Sequence, residues 1–225
     1  MIDPVIQQLK GKLIVSCQAY MGEPLRHPET MAQMARACEL GGAGGIRCQG
    51  LSDISAIKGR TEVPVIGIWK EGHEGVYITP SLRHARACVV AGSDIVALDA
   101  TGRPRLDGLS FGETVKALRE DGTLVMADCG SFEDAQRAVD AGVDIVSTTL
   151  AGYTGDRVKT DGPDLELLRA VVAAFPDVPV ICEGRVHTPE QAAAAIEAGA
   201  FAVIVGTAIT HPTSITTWFK AAVEG

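Results

Sequence analysis

Aromatic residues make up only 4 % of this 225-residue chain, and no apolar run in it approaches 18 residues. The first shortage leaves an aliphatic core as the means of burying surface, and the second argues against a membrane-spanning helix. No basic start followed by a long apolar stretch opens the chain, so a secretory leader is not expected. The cysteines at 17, 38, 48, 88, 129 and 182 form no CxxC and no zinc-like spacing, and they read as reduced packing residues of a cytoplasmic protein. The five histidines (27, 73, 84, 187 and 211) make no HxH or HxD pair, which argues against a bound metal. Ser16 and Ser147 lack a G-x-S-x-G setting and no GxGxxG follows a strand, so neither a serine nucleophile nor a Rossmann-type cofactor is indicated. A formal charge of −8 argues against non-specific nucleic-acid binding, and an anionic ligand would have to be drawn by a local basic cluster.

What the chain has instead is repetition. Eight short runs, LIVSCQ, GIRCQ, VIGIWK, IVALDAT, LVMADC, IVSTTL, VICEG and VIVGTA, are mostly Val, Ile and Leu and finish on a polar residue. Such runs read as strands buried on both faces, and the stretches between them look helical. Eight alternations predict a single (β/α)8 TIM barrel over residues 1–225, an α/β fold near the lower end of the size range of such barrels. Active sites of this fold sit at the C-terminal ends of the strands. Here those ends carry Gln18, Arg47, Lys70, Asp99, Asp128, Thr149, Glu183 and Thr207.

Local signals support the alternation. Residues 1–11 read as a short lead-in that covers the bottom of the barrel, and Pro28–Leu40 has helical spacing at Met31, Met34, Ala35 and Cys38. The segments GGAGGIR, AGSDIVALDA, AGVDIVSTTL and AGAFAVIVGT each place a glycine after a helix and a strand soon after it, as a left-handed cap requires. Thr79-Pro80, Ser131 with Asp134, and Thr188-Pro189 mark helix starts. Longer connections follow the first, third, fourth and sixth strands. Cys17, Cys48, Cys129 and Cys182 each adjoin a strand-end polar residue, so alternation turns them toward the helices if the polar residue faces the barrel.

Lys70 and Glu183 stand out chemically. Burial at the barrel mouth, with Arg47 on the neighbouring strand, lowers a lysine pKa toward the neutral amine that a base or a Schiff-base nucleophile requires. Glu183 on the seventh strand can move a proton, orient a hydroxyl, or pair with Lys70 or Arg47. Asp128 and Asp99 are similar in kind and less specific. Gly184-Arg185 after the seventh strand and Gly206-Thr207 after the eighth occupy the positions where this fold habitually binds phosphate. A snorkelling lysine, a structural ion pair and plain tight-turn glycines are the bland readings of the same residues.

In order along the chain, LIVSCQ, GGAGGIR, PVIGIWK, VYITP, DIVALDAT, MADC, STTLAGYT, ICEGRVHTPEQA and VIVGTAIT resemble the N-acylglucosamine-6-phosphate 2-epimerase family. The resemblance implies interconversion of N-acetylmannosamine 6-phosphate and N-acetylglucosamine 6-phosphate in sialic acid breakdown, without a redox cofactor. It implies Lys70 as the residue exchanging the C2 proton and Glu183 as its acidic partner. Gln18, Arg47, Asp128, Thr149 and Tyr153 are then sugar contacts or pocket walls, and Gly184, Arg185, Gly206 and Thr207 lie at the phosphate. It also suggests a homodimer, with Trp218 and Phe219 either at the interface or packed on the barrel. Two positions depart from the family pattern. His211 precedes Pro212 where many members have Arg, and Glu71 follows the strand-three lysine where many have a basic residue. Both changes predict a less positive site and weaker phosphate discrimination. A lysine-dependent aldolase and a non-catalytic sugar-phosphate-binding barrel are the alternatives that remain open on the residues alone.

Overall fold

In the computed structural model, which describes residues 2–155 and 157–225, eight parallel strands close into a barrel in sequence order. The strands are β1 (Leu13–Cys17), β2 (Gly45–Gln49), β3 (Val65–Ile68), β4 (Ile95–Asp99), β5 (Leu124–Asp128), β6 (Ile145–Ser147), β7 (Val180–Glu183) and β8 (Ala202–Val205). Helix α1 (Pro4–Gln7) precedes β1, and α2 (Pro28–Leu40), α3 (Leu51–Lys58), α4 (Leu82–Ala91), α5 (Phe111–Glu120), α6 (Phe132–Asp140), α7 (Leu165–Ala174) and α8 (Pro189–Glu197) follow β1 to β7 in turn. After β8 come a single turn, α9 (Thr207–Thr210), and a last helix, α10 (Pro212–Glu224). Pairing of Leu13 with Val203 and Ile14 with Ile204 closes the ring between β1 and β8.

The period-two alternation of the strands divides the apolar residues into two cores. Inside the barrel lie Ile14, Ile66, Ile68, Ile95, Ala97, Met126, Ile145, Ile181, Ala202 and Ile204. Ile6 and Leu9 of the lead-in join this inner cluster, so the N-terminal turn plugs the end opposite the site. The alternate residues, Val15, Ile46, Val96, Val125, Val146 and Val203 among them, pack against the helices. Cys17, Cys48, Cys129 and Cys182 belong to that outer layer, and all six thiols are free. Gly67 shows how tightly the two layers meet, since a Cβ there would lie 1.8 Å from the Ser93 hydroxyl.

The boundaries follow the local signals with two exceptions. Glycines 42, 92, 142 and 199 all have positive φ after their helices, and α2 begins and ends where its spacing places it. Ser131 and Thr188 cap α6 and α8. The Thr79-Pro80 signal, however, falls short of a helix start. Ser81 caps α4, its hydroxyl accepting the His84 amide, and Thr79 instead adopts a left-handed conformation at φ 47°. The other exception is Arg47, which sits inside β2 rather than at its end, because that strand continues to Gln49. The added strand length sinks the Arg47 guanidinium into the barrel.

Candidate active site

Residues from β1, β2, β3, β7 and β8, and from the loops that follow β1, β3, β6, β7 and β8, line a cavity of about 260 Å³ at the C-terminal end of the barrel. Its floor is an ion cluster. Arg47, 1 % exposed, grips Asp128 with both terminal nitrogens, Nη2 to Oδ2 at 2.6 Å and Nη1 to Oδ1 at 3.0 Å. The same Nη1 reaches Glu183 Oε2 at 2.5 Å. Thr149 ties the carboxylates together, its hydroxyl lying 2.7 Å from Asp128 Oδ1 and 2.9 Å from Glu183 Oε2, with Ser147 Oγ at 2.8 Å. The three charged residues come from β2, β5 and β7. Each points inward by strand parity, as Met126 and Ile181 do two positions before Asp128 and Glu183, while Ile46, next to Arg47, faces the helices.

Lys70 stands on the wall above this cluster. Its Nζ donates to Gln18 Oε1 at 2.7 Å, and the Gln18 amide donates in turn to Ser16 Oγ at 2.8 Å, which fixes the glutamine's orientation. The Tyr20 ring lies with its centroid 5.8 Å from Nζ. Burial, followed by repulsion from Arg47, pushes the Lys70 ammonium down to about 8, against the opposite pull of Glu183 and Asp128. Burial raises the Glu183 carboxyl to about 7 with help from Asp128, while Arg47, the Thr149 hydroxyl and Lys70 hold it down. Burial also opposes the charge on Arg47, but Asp128 and Glu183 outweigh it and keep the guanidinium firmly cationic. A poorly solvated amine and a carboxyl that both titrate near neutrality can exchange protons with a bound molecule at little cost.

The structure brings most of the sequence-selected residues to this cavity. Gln18, Arg47, Lys70, Thr149, Tyr153, Glu183, Gly184, Arg185, Gly206 and Thr207 all line it. Asp128 does not. It is fully buried one layer deeper, where its partner is Arg47. Asp99 is also off the wall and organises the loop after β4. Its carboxylate accepts from the Thr101 amide and hydroxyl and from Arg103 Nη2 at 2.6 Å. Arg185 lines the cavity, yet its Nε, Nη1 and Nη2 already donate to Gly162 O, Ala151 O and Thr160 Oγ1, with the guanidinium 5.0 Å over the Tyr153 ring. It braces the long loop after β6.

The two departures from the family pattern separate in space. His211 is on the cavity wall, but Ser214 engages its Nδ1 at 2.7 Å and Glu23 engages its Nε2. Glu71 is absent from the wall and reaches outward to His84 of α4. The expected loss of positive charge at the site therefore has only one contributor. Sequence reasoning passed over Ser16, Tyr20, Tyr77, His187 and Thr210, all cavity residues. For the first two a signal existed, because Ser16, Gln18 and Tyr20 continue the inward parity of β1 past its end.

Comparison with known proteins gives the family. Residues 31–225 match the family described as "Putative N-acetylmannosamine-6-phosphate epimerase". This chain belongs to that family. A Cutibacterium acnes protein named "Putative N-acetylmannosamine-6-phosphate 2-epimerase" is 63 % identical over 99 % of this chain and 98 % of its own length. The solved structure of the N-acetylmannosamine-6-phosphate 2-epimerase from Clostridium perfringens superposes with a TM-score of 0.94 at 40 % identity, covering 98 % of this chain and 96 % of that one. A thiamine phosphate pyrophosphorylase from Pyrococcus furiosus, at TM-score 0.63 and 16 % identity, shares the fold alone. The family's barrel is thus the one the eight alternations predict, and among the described residues no helix is long and apolar enough to cross a membrane.

Proposed function

We infer that this chain interconverts N-acetylmannosamine 6-phosphate and N-acetylglucosamine 6-phosphate by removing and returning the C2 proton, as an enzyme of amino-sugar catabolism. The observation that carries this reading is Lys70, desolvated, held at 2.7 Å by Gln18 and facing the same cavity as Glu183. The C2 proton becomes acidic when the sugar ring opens and C1 becomes an aldehyde. Neutral Lys70 takes that proton, the C–H electron pair forms the C1=C2 bond, and negative charge moves to the C1 oxygen. The intermediate then turns in the cavity and protonated Lys70 returns the proton to the opposite face, which inverts C2 with no change in oxidation state. Glu183, which titrates near neutrality, gives its proton to the ring oxygen as the C1–O bond breaks and takes up the C1 hydroxyl proton, so that it is protonated again once the aldehyde has formed, and closure reverses the exchange. Arg47 and Asp128 keep Glu183 in place, and Thr149 shares its oxygen.

The phosphate falls at the turns after β7 and β8. Gly184 and Arg185 both have positive φ, 105° and 56°, which exposes backbone at the cavity rim. Gly206 and Thr207 lie beside them, after the neighbouring strand β8. With Arg185 bracing a loop and both His211 nitrogens engaged, backbone amides carry more of the anion than side chains do.

A coupled assay on N-acetylmannosamine 6-phosphate tests the activity. Turnover is expected, with a bell-shaped kcat/KM profile centred between about pH 7 and pH 8, because the reaction needs Lys70 without its proton and Glu183 with its own. A flat profile between about pH 6 and pH 9 counts against a free-base lysine. The unphosphorylated sugar belongs in the same assay, because strict dependence on the phosphate would sink the idea of weakened discrimination.

The chain is proposed to work as a cytoplasmic homodimer. Helix α10 has no buried residue and exposes Phe219 and Val223, with Trp218 half-covered beside His187. An apolar helix face of this kind is what a second copy would cover. Sedimentation is expected to give a dimer that Phe219→Asp shifts toward monomer, and a monomeric parent chain would end this proposal.

A further inference from the structure

Lys70 is not held by a strand ladder. It lies two residues beyond β3, in a short hairpin where Lys70 bridges Ile78, the Glu71 amide donates to Tyr77 O at 3.0 Å and the Thr79 amide donates to Trp69 O at 2.9 Å. Alternation sends the Lys70 side chain into the cavity and its two neighbours, Trp69 and Glu71, outward. Both neighbours land on one ring. The His84 imidazole meets the Trp69 ring edge-on at 4.4 Å between centroids, and its Nε2 lies 2.8 Å from Glu71 Oε2. Its Nδ1 lies 2.5 Å from Ser81 Oγ, the hydroxyl that caps α4. His84 is completely buried. Arg83, the preceding residue of α4, covers the Trp69 ring with its guanidinium carbon 5.9 Å from the centroid.

We propose that His84 is a positioning residue for Lys70. Gripping both outward neighbours fixes the backbone at position 70, and the Cα–Cβ direction of the lysine follows. The far limb of the hairpin is clamped as well. Thr79, strained at φ 47°, has its carbonyl held by Arg105 Nη2 at 2.8 Å, and Arg105 Nη1 ties the same guanidinium to Asp99 O. A lysine has four rotatable side-chain bonds, and the only side-chain acceptor recorded for Nζ among the described residues is Gln18. The rest of its placement must come from the main chain. This also gives Glu71 a role other than the one its charge suggests. It leaves the anion site alone and serves as the acidic partner of His84 behind the catalytic wall. The assignment rests on the reading of Lys70 as the proton exchanger.

The test separates the two. Solvent-deuterium exchange at C2, kcat and KM are measured for His84→Phe, Glu71→Ala, Glu71→Gln and Lys70→Ala. Phenylalanine keeps the ring against Trp69 and loses both hydrogen bonds, so kcat is expected to fall about 10- to 100-fold with KM within about two-fold, the signature of a misplaced catalytic group in a site that still binds. Glu71 is exposed on its outer side, so Glu71→Ala remains informative even where His84→Phe does not fold. It is expected to lower kcat about 3- to 10-fold with the same split. Glu71→Gln, which keeps an acceptor for the imidazole, recovers most of that loss. Unchanged kcat in Glu71→Ala, or a rise in KM without a fall in kcat, overturns the assignment. Exchange retained in Lys70→Ala instead overturns the reading of Lys70, whatever the His84 variants do.

Discussion

Lys70→Ala is expected to abolish exchange of the C2 proton with solvent and to lower kcat by at least about 10³-fold, within the range that positioned acid–base groups supply. The expectation follows from placement. Nζ is anchored by Gln18, Gln18 is anchored by Ser16, and burial with Arg47 nearby brings the amine to about 8, so a usable fraction is neutral at physiological pH. Stability should change little, because truncation removes a poorly solvated ammonium and strands only the carbonyl oxygen of Gln18, a partly buried side chain on the cavity wall. A fall in kcat with an intact unfolding midpoint is therefore the diagnostic pair. The same variant weighs the aldolase alternative. Reduction of the parent enzyme with borohydride in the presence of substrate traps a covalent adduct only if Lys70 forms a Schiff base. No adduct is expected, because a proton exchanger leaves the amine free.

How legible this was in the sequence depends on the range of the interaction. Strands, helix ends and the inward parity of Gln18, Lys70, Asp99, Asp128 and Glu183 are local, set by alternation and by left-handed glycines such as Gly92. They can be read off a single chain. Parity also placed the cysteines correctly in the outer layer. It could not say which inward residues meet. Arg47 lies 81 positions from Asp128 and 136 from Glu183, and only closure of the ring brings the three together. Nor could it show that Asp99 turns aside to Thr101 and Arg103 while Asp128, its register partner on β5, takes the guanidinium. Arg185 and Glu71 looked like site charges because they sit beside site residues. Arg185 does line the cavity, but its donors are taken by the β6–α7 loop, and Glu71 turns away to α4. Adjacency in sequence fixes where a Cα is, and the partner decides where the charge goes.

The ion cluster beneath the cavity leads to the second large effect. Arg47→Met should destabilise the fold by about 3–5 kcal/mol, because it leaves Asp128 and Glu183 buried without their counter-charge. The loss should depend on pH with a definite sign. Glu183 already titrates at about 7 in the folded chain against an ordinary 4.5, so the folded state binds the extra proton and stability falls as pH rises between those values. Without Arg47 the carboxyl titrates higher still, and the window of falling stability extends upward. The gap between parent and variant should therefore be widest near about pH 8 and should narrow toward about pH 5.5, where a protonated Glu183 no longer needs the guanidinium. Urea unfolding at the two pH values measures it. A gap that widens on acidification would show that Arg47 stabilises the barrel by packing and not by neutralising carboxylates. The rate profile should move as well. Arg47 is the second-largest influence lowering the Lys70 pKa, after burial, so its removal shifts the rise in kcat/KM to higher pH. One arginine at the floor of the cavity thus shifts the protonation of both Lys70 and Glu183, which is why it is worth burying there despite its desolvation cost.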